Sequence, residues 1–283
     1  MNLAHPSELK ELLGSHNFSF SKSLGQNFLI DEGVLDKIVT AANIDKSTCA
    51  LEIGPGAGTL TRLLAERADK VVAIEIDSAL IPILNESMEE FNNFTLIHKD
   101  VMEVDLSNLT SEIFEGSPFS VVANLPYYIT TPIVMGLLES KLPVNTMTLM
   151  VQKEVAERMV AVPGTKDYGA LSVAVQYYTK PSIVCKAEPH CFMPQPKVAS
   201  TVIKLDVLPS PSVQVNDEKK FFKIVKSAFG QRRKTLLNAL SKSPHISIEK
   251  SAIESALATM GLDPALRGER LTVEQFAQLS NLL

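Results

Sequence analysis

Residues 48–77, TCALEIGPGAGTLTRLLAERADKVVAIEID, decide the fold. Cys49–Gly54 is a short apolar run without alternation, the pattern of a strand buried on both faces. Gly54, Gly56 and Gly58 then mark a turn, and residues 59–68 carry apolar positions at helical spacing. KVVAIEID (70–77) is a second buried strand. Strand, glycine turn, helix and strand in this order make a βαβ unit, whose strands run parallel.

The alternation continues outward. A helix is expected over 78–90, strands over FTLIHKD (94–100), FSVVANLP (119–126) and TMTLMVQ (146–152), and helices on PIVMGLLES (132–140) and KEVAERMVA (153–161). This predicts an α/β fold, a parallel sheet covered by helices on both faces. LSVAVQYYTKPSIVCKAE (171–188) and ASTVIKLDVL (199–208) read as later strands added antiparallel at the edge. Upstream, residues 6–14 form a short helix, a loop carries Phe18, Phe20 and Phe28, and Asp31 caps a helix over 32–42. DVLPSPSVQVND (206–217) is a linker by its prolines and serines. Helices are expected beyond it at 217–229, 231–241, 249–260 and 273–281. The predicted organisation is an α/β domain over 1–209 and a small all-helical domain over 210–283.

Composition narrows the function class. The chain has 283 residues, 45% of them hydrophobic, and a net charge of −5 from 27 Lys and Arg against 32 Asp and Glu. That balance is unfavourable for phosphate binding overall, so a nucleic-acid partner needs a local basic face. Cys49, Cys185 and Cys191 show no CxxC pairing and the five histidines are scattered, so no metal site is expected. No apolar run is long enough to span a bilayer, and the N-terminus lacks the pattern of a signal peptide. The expectation is a soluble, cytoplasmic monomer.

The turn after the first strand, Gly54-Pro55-Gly56-Ala57-Gly58, is spaced G-x-G-x-G. Glycine there lets the backbone approach a ligand and adopt positive φ. Pro55 removes an N–H that a pyrophosphate would use, which counts against a dinucleotide. Glu75 ends the second strand, where Rossmann units keep the acid that binds ribose hydroxyls. Asp100 ends the third, placed to accept from an adenine amino group. Gly54, Glu75 and Asp100 therefore mark one carboxyl edge and a nucleoside-like cofactor; each alone could be a turn or a helix cap.

The fourth strand runs into Asn124-Leu125-Pro126-Tyr127-Tyr128. An exocyclic amine such as N6 of adenine is a poor nucleophile, because its lone pair is delocalised into the ring. Two acceptors aimed at its hydrogens localise that pair. The Asn124 side-chain oxygen and the Leu125 carbonyl are the candidates. Pro126 holds Leu125 extended, and Tyr127 offers a face for an unstacked base. Tyr128 is expected to pack in the core. No cysteine nucleophile lies near this loop, which argues against methylation at a pyrimidine carbon. Phe192, in CFMPQPKV (191–198), either covers the other face of the base from a stiff exposed loop or packs beside an edge strand.

At these residues the sequence resembles the ribosomal RNA adenine N6,N6-dimethyltransferases of the bacterial small-subunit type. The resemblance covers nearly the whole chain, through SKSLGQNFL (21–29), EIGPGAGTLT (52–61), IEID (74–77), KDVMEVD (99–105), ANLPYYITTPI (123–133), FMPQPKVAST (192–201) and AFGQRRKTLLNAL (228–240). It implies a Rossmann-like class I methyltransferase sheet that uses S-adenosylmethionine. It implies a substrate of two adjacent adenosines in the terminal hairpin of 16S rRNA, each dimethylated within a pre-30S particle. By motif it places cofactor contacts on Gln26, Asn27, Leu29, Gly54, Gly56, Glu75, Asp100 and Asn124. Gln231-Arg232-Arg233-Lys234 begins a helix and resembles the family's RNA-contacting segment; Lys22, Arg62, Arg67, Arg267 and Arg270 could extend it. Alternatives are a large-subunit rRNA adenine methyltransferase, a DNA adenine methyltransferase, and a ribosome-assembly or RNA-binding factor whose catalysis is dispensable.

Overall fold

The computed structural model describes residues 1–21 and 24–283. Among the described residues nine strands follow one another as β1 (Phe28–Leu29), β2 (Cys49–Ile53), β3 (Lys70–Glu75), β4 (Phe94–His98), β5 (Phe119–Asn124), β6 (Val144–Gln152), β7 (Thr179–Ala187), β8 (Phe192–Met193) and β9 (Ser200–Val207). The helices are α1 (Pro6–Ser15), α2 (Glu32–Ala41), α3 (Thr59–Arg67), α4 (Ile81–Ser87), α5 (Leu106–Phe114), α6 (Thr130–Glu139), α7 (Lys153–Val160), α8 (Ala170–Tyr178), α9 (Glu218–Gly230), α10 (Leu236–Ser241), α11 (Lys250–Thr259) and α12 (Val273–Leu282).

The chain divides into two compact units, Met1–Ala156 with Ser182–Val207, and Glu157–Pro181 with Leu208–Leu283. The second unit resumes at Leu208, within the stretch 206–217. Residues 157–181, however, pack with the C-terminal helices rather than with the α/β sheet. Their aromatic residues explain this: Tyr177 stacks on Phe221 with ring centroids 5.0 Å apart, and the buried Tyr168 hydroxyl donates to the Leu271 carbonyl at 2.9 Å.

The main sheet has the order β4-β3-β2-β5-β6-β9-β7. β2 pairs in parallel with both β3 and β5, β4 and β6 extend it in parallel, and β9 joins β6 antiparallel. All five residues of β2 are buried, Glu52 among its four apolar residues included. The chain leaves β2 toward β3 and β4, then returns to β5 on the other side. The order therefore reverses between β2 and β5, and open α/β sheets bind ligands at the carboxyl ends of strands at that point. A second, two-stranded sheet pairs β1 with β8 antiparallel, Phe28 opposite Met193 and Leu29 opposite Phe192.

Three elements differ from the sequence expectation. LSVAVQYY is helix α8, not strand: Leu171, Val173, Val175 and Tyr177 mimic a period of two. Ser172 and Ala174 between them are small and buried too, so the helix is enclosed nearly all round. Ser172 Oγ accepts from the Gly169 N–H at 3.0 Å and starts that helix. The helix expected over 78–90 is confined to Ile81–Ser87. Residues 231–235 form a turn, because Gln231 leaves helical geometry and Thr235 caps α10, accepting from the Asn238 N–H at 3.3 Å.

Candidate functional site

A cavity opens at the carboxyl ends of β2, β3 and β5, floored by the glycine turn and walled by residues 24–29, 99–101 and 124–129. Gln26, Asn27, Leu29, Gly54, Gly56, Glu75, Asp100, Asn124, Leu125, Pro126 and Tyr127 all line it. Residues scattered over a hundred positions of sequence thus share one wall because parallel strands end together.

The turn holds its shape through backbone conformation. Gly54 and Gly56 have φ of +70° and +63°, the left-handed region that side chains avoid. At Gly56 a Cβ would also come within 2.9 Å of the Phe28 ring, so glycine lets β1 close over the turn. Glu75 is 5% exposed and accepts from the Asp77 N–H at 2.8 Å and the Gly56 N–H at 3.3 Å. Burial raises its carboxyl above the usual range, and the two N–H donors only moderate the shift. Asp100 is half-buried; one oxygen caps the turn at 101–103, accepting from the Met102 N–H at 2.9 Å. Capping and ligand binding are compatible here, since a carboxylate has four acceptor positions.

The loop before β1 is tied to two strand ends. Gln26 Nε2 donates to Asp77 Oδ2 at 2.6 Å, just past β3. Asn124, at the end of β5, donates through Nδ2 to the Asn27 carbonyl at 2.9 Å. The Asn124 amide nitrogen is thereby committed to protein, and the side-chain oxygen is the group left to accept. Leu125 is buried; its N–H donates to the Met150 carbonyl at 3.1 Å, while its own carbonyl accepts no hydrogen bond from a described residue. The next carbonyl, of Pro126, is used by the Ile129 N–H and the Thr130 hydroxyl at 3.2 and 3.1 Å. Tyr127 is half-buried, its hydroxyl 2.9 Å from Ser200 Oγ, which fixes the ring at the cavity wall.

Phe192, of the candidates expected near the base, does not line the cavity. It is 2% exposed and packs in the core with Leu29, Val34 and Cys191. Pairing with β1 accompanies the inward position of the ring. Tyr128 is the opposite case: expected in the core, it is 63% exposed and lines the cavity.

Sequence reading also passed over Glu52, the acid inside the glycine motif. It lines the cavity at 1% exposure, and its Oε2 has no hydrogen-bond partner among the described residues. Burial pushes its pKa up to about 8; Thr61 lies near enough to temper the shift without a well-formed bond, and Glu75 adds to it. A carboxyl inside an apolar strand was the available signal. Ile76 and Val101, apolar residues flanking the ends of β3 and β4, are further lining groups that the motif reading did not single out.

Residues 17–283 match the family described as ribosomal RNA adenine dimethylase. The chain belongs to that family. Among relatives of this dimethylase, the Ribosomal RNA small subunit methyltransferase A of Alkaliphilus oremlandii is 54% identical over 281 residues, covering 99% of this chain and 98% of the relative. The protein of the same name from Geobacillus thermodenitrificans is 53% identical, covering 100% and 97%. Among solved structures, a dimethyladenosine transferase from Plasmodium falciparum is 28% identical with a TM-score of 0.77, covering 89% of this chain and 95% of that one. The 23S rRNA methyltransferase ErmE is also 28% identical, with a TM-score of 0.70, covering 91% and 99%. Membership in an RNA-modifying family overturns the DNA alternative, and the higher identity to small-subunit enzymes favours them over the large-subunit alternative.

The basic run of this dimethylase lies in its second unit, in the turn between α9 and α10 rather than inside a helix. Arg232, Arg233 and Lys234 are all exposed. Arg232 is partly committed to the fold: it donates to the Lys166 and Tyr168 carbonyls at 2.6 and 3.3 Å and pairs with Glu269 at 3.6 Å. Arg233 and Lys234 make no ion pair among the described residues. Arg67 pairs with Asp36 at 3.0 Å and Arg62 with Glu90, so these two are neutralised locally. Lys22 lies outside the described residues.

Proposed function

We propose that the cavity binds S-adenosylmethionine together with an adenosine of small-subunit (16S) rRNA. The protein then methylates N6 twice on each of two adjacent adenosines in the 3′-terminal hairpin, within a pre-30S particle. The observation that carries this reading is the state of Asn124: its nitrogen donates to the Asn27 carbonyl, which leaves its oxygen to accept, and the neighbouring Leu125 carbonyl accepts nothing among the described residues, with the tethered Tyr127 two residues on.

The residues present fit the cofactor. The cavity holds Glu75 with acceptor capacity for two ribose hydroxyls and Asp100 with acceptor capacity for an adenine amine. Ile76 and Val101 supply apolar contact for a ring between them. The left-handed glycines bring backbone close to a ligand without a pyrophosphate. Glu52 offers a buried carboxyl whose Oε2 has no partner among the described residues, and a cationic group beside it would favour its ionised form. Gln26, Asn27 and Leu29 close over it as a lid. S-adenosylmethionine supplies an activated methyl on a sulfonium when bound.

Asn124 and Leu125 hold the two amine hydrogens, which concentrates the nitrogen lone pair and stabilises the charge that develops there. Tyr127 carries the base on its ring face. No side-chain base is required, because the proton leaves to water after transfer. Arg233 and Lys234, with Arg232 behind them, supply phosphate contacts in the second unit.

The test is labelled methyl transfer to small subunits from unmethylated ribosomes, beside large subunits and duplex DNA. Dimethyladenosine confined to small-subunit RNA is the expected product. Monomethyladenosine alone, or equal transfer to large subunits, would overturn the assignment.

A further inference from the structure

Asp31 and the pair His190–Cys191 stand far apart in sequence, and no spacing rule joins them. The β1–β8 pairing brings them together, Asp31 just after β1 and Cys191 just before β8. The Ile30 N–H donates to the Cys191 carbonyl at 2.8 Å and locks the two segments in register. The donor atoms of Asp31, His190 and Cys191 all lie within 4.8 Å of one another.

The geometry is close to that of a tetrahedral metal centre. Cys191 Sγ and Asp31 Oδ2 are 3.5 Å apart. A tetrahedral zinc ion with Zn–S of about 2.3 Å and Zn–O of about 2.0 Å requires an S···O edge of about 3.5 Å. The other Asp31 oxygen accepts from the Val34 N–H at 2.8 Å as the cap of α2, which fixes the carboxylate with Oδ2 facing the sulfur, where it accepts from the Cys191 thiol. The Cys191 N–H donates to the Glu188 carbonyl at 2.9 Å, so the thiol is also set on a held backbone. His190 is exposed, and its ring closes the remaining distances by rotation at the solvent side, where an ion would enter.

We propose that Asp31, His190 and Cys191 bind a divalent transition-metal ion of the zinc class, with a fourth position open to water. Thiolate, imidazole and carboxylate together select zinc or cobalt over magnesium or calcium, which take oxygen donors. The bound ion staples the start of α2 to β8. Phe28 and Leu29, which line the cavity, belong to the strand so fastened, so the metal holds the lid strand in place.

The experiment is titration of the metal-free full-length chain with Co²⁺, read by absorbance, followed by zinc competition. One equivalent should bind and give a thiolate-to-cobalt charge-transfer band that zinc removes. C191S should abolish the band, and H190A should weaken affinity at least tenfold; as His190 is exposed, that variant keeps the fold. C185S is the control and should titrate like the parent, because Cys185 is the other thiol near Asp31. A second readout is thermal unfolding, where zinc should raise the melting temperature of the parent and C185S but not of H190A. A band that survives C191S, a band lost with C185S, or no saturable binding below millimolar cobalt would overturn the proposal.

Discussion

Glu52→Gln isolates the most unusual charge in the molecule. Glu52 sits in β2 with one oxygen unpartnered, and its pKa is about 8 against an ordinary 4.5. The folded protein therefore holds this proton more tightly than the unfolded chain does. Its contribution is fully present below pH 4.5 and is lost as pH rises toward 8, at about 1.4 kcal/mol per pH unit between those limits. Between pH 5.5 and 7.5 the parent should lose on the order of 3 kcal/mol from this residue alone. E52Q is uncharged throughout and nearly the same shape, so it does not incur this loss. Glu75 is raised in the same direction, but it is present in both proteins and largely cancels in the difference. The assay is urea unfolding followed by far-ultraviolet circular dichroism, which suits a chain without tryptophan, at half-unit intervals of pH. The stability of E52Q relative to the parent should grow steadily with pH. Parallel curves for the two proteins would show that Glu52 ionises normally and that the buried, unpartnered carboxylate is wrongly described.

Asn124→Ala should cut the methyl-transfer rate roughly 10²- to 10³-fold, the loss typical of one preorganised acceptor or donor; single-turnover transfer to unmethylated small subunits measures it, and a loss under fivefold would remove Asn124 from the chemistry. Tyr127→Phe should lose only about 1 kcal/mol, through the Ser200 bond, while Tyr127→Ala should lose a further ~1–3 kcal/mol of base stacking, read as a rise in KM; equal effects of the two would mean the ring is structural. Arg233→Ala and Lys234→Ala should each reduce the slope of log binding constant against log salt by about 0.7–0.9 with folding unchanged. Arg232→Ala should also lower thermal stability, because its guanidinium holds the Lys166 and Tyr168 carbonyls.

The βαβ unit and the cavity at its carboxyl edge were legible in sequence because the information is local: a mostly apolar strand, glycines at fixed spacing, and acids at the ends of the next strands. What failed was non-local. Phe192 faces the core because β8 finds β1, a pairing between segments far apart in the chain that no loop composition encodes. LSVAVQYY carries two periods at once, and only the small buried Ser172 and Ala174 let it settle as a helix. Residues 157–181 read as part of the α/β domain by position, yet Tyr168 and Tyr177 make them core of the second unit. Glu52 was visible in the motif, but a carboxylate reads as a surface or ligand group until its burial is known.

The same non-local pairing gives the site its economy. Asn124 does two things with one amide: its nitrogen fastens the Asn27 carbonyl, and its oxygen is left as an acceptor. The two cannot be separated, since a primary amide fixed through its nitrogen has its oxygen direction fixed as well. A lid that lets go of Asn124 therefore frees the amide to rotate, and the paired acceptor with Leu125 is lost at the same moment. Gln26 anchors that lid to Asp77, and Asp77 in turn donates its N–H to Glu75. On the roles proposed for Glu75 and Asn124, closure of the loop, orientation of the acid and alignment of the acceptor are thus three readings of one hydrogen-bonded chain. The proposed chemistry therefore requires residues 24–29 to lie on both strand ends, as Gln26 and Asn27 do here.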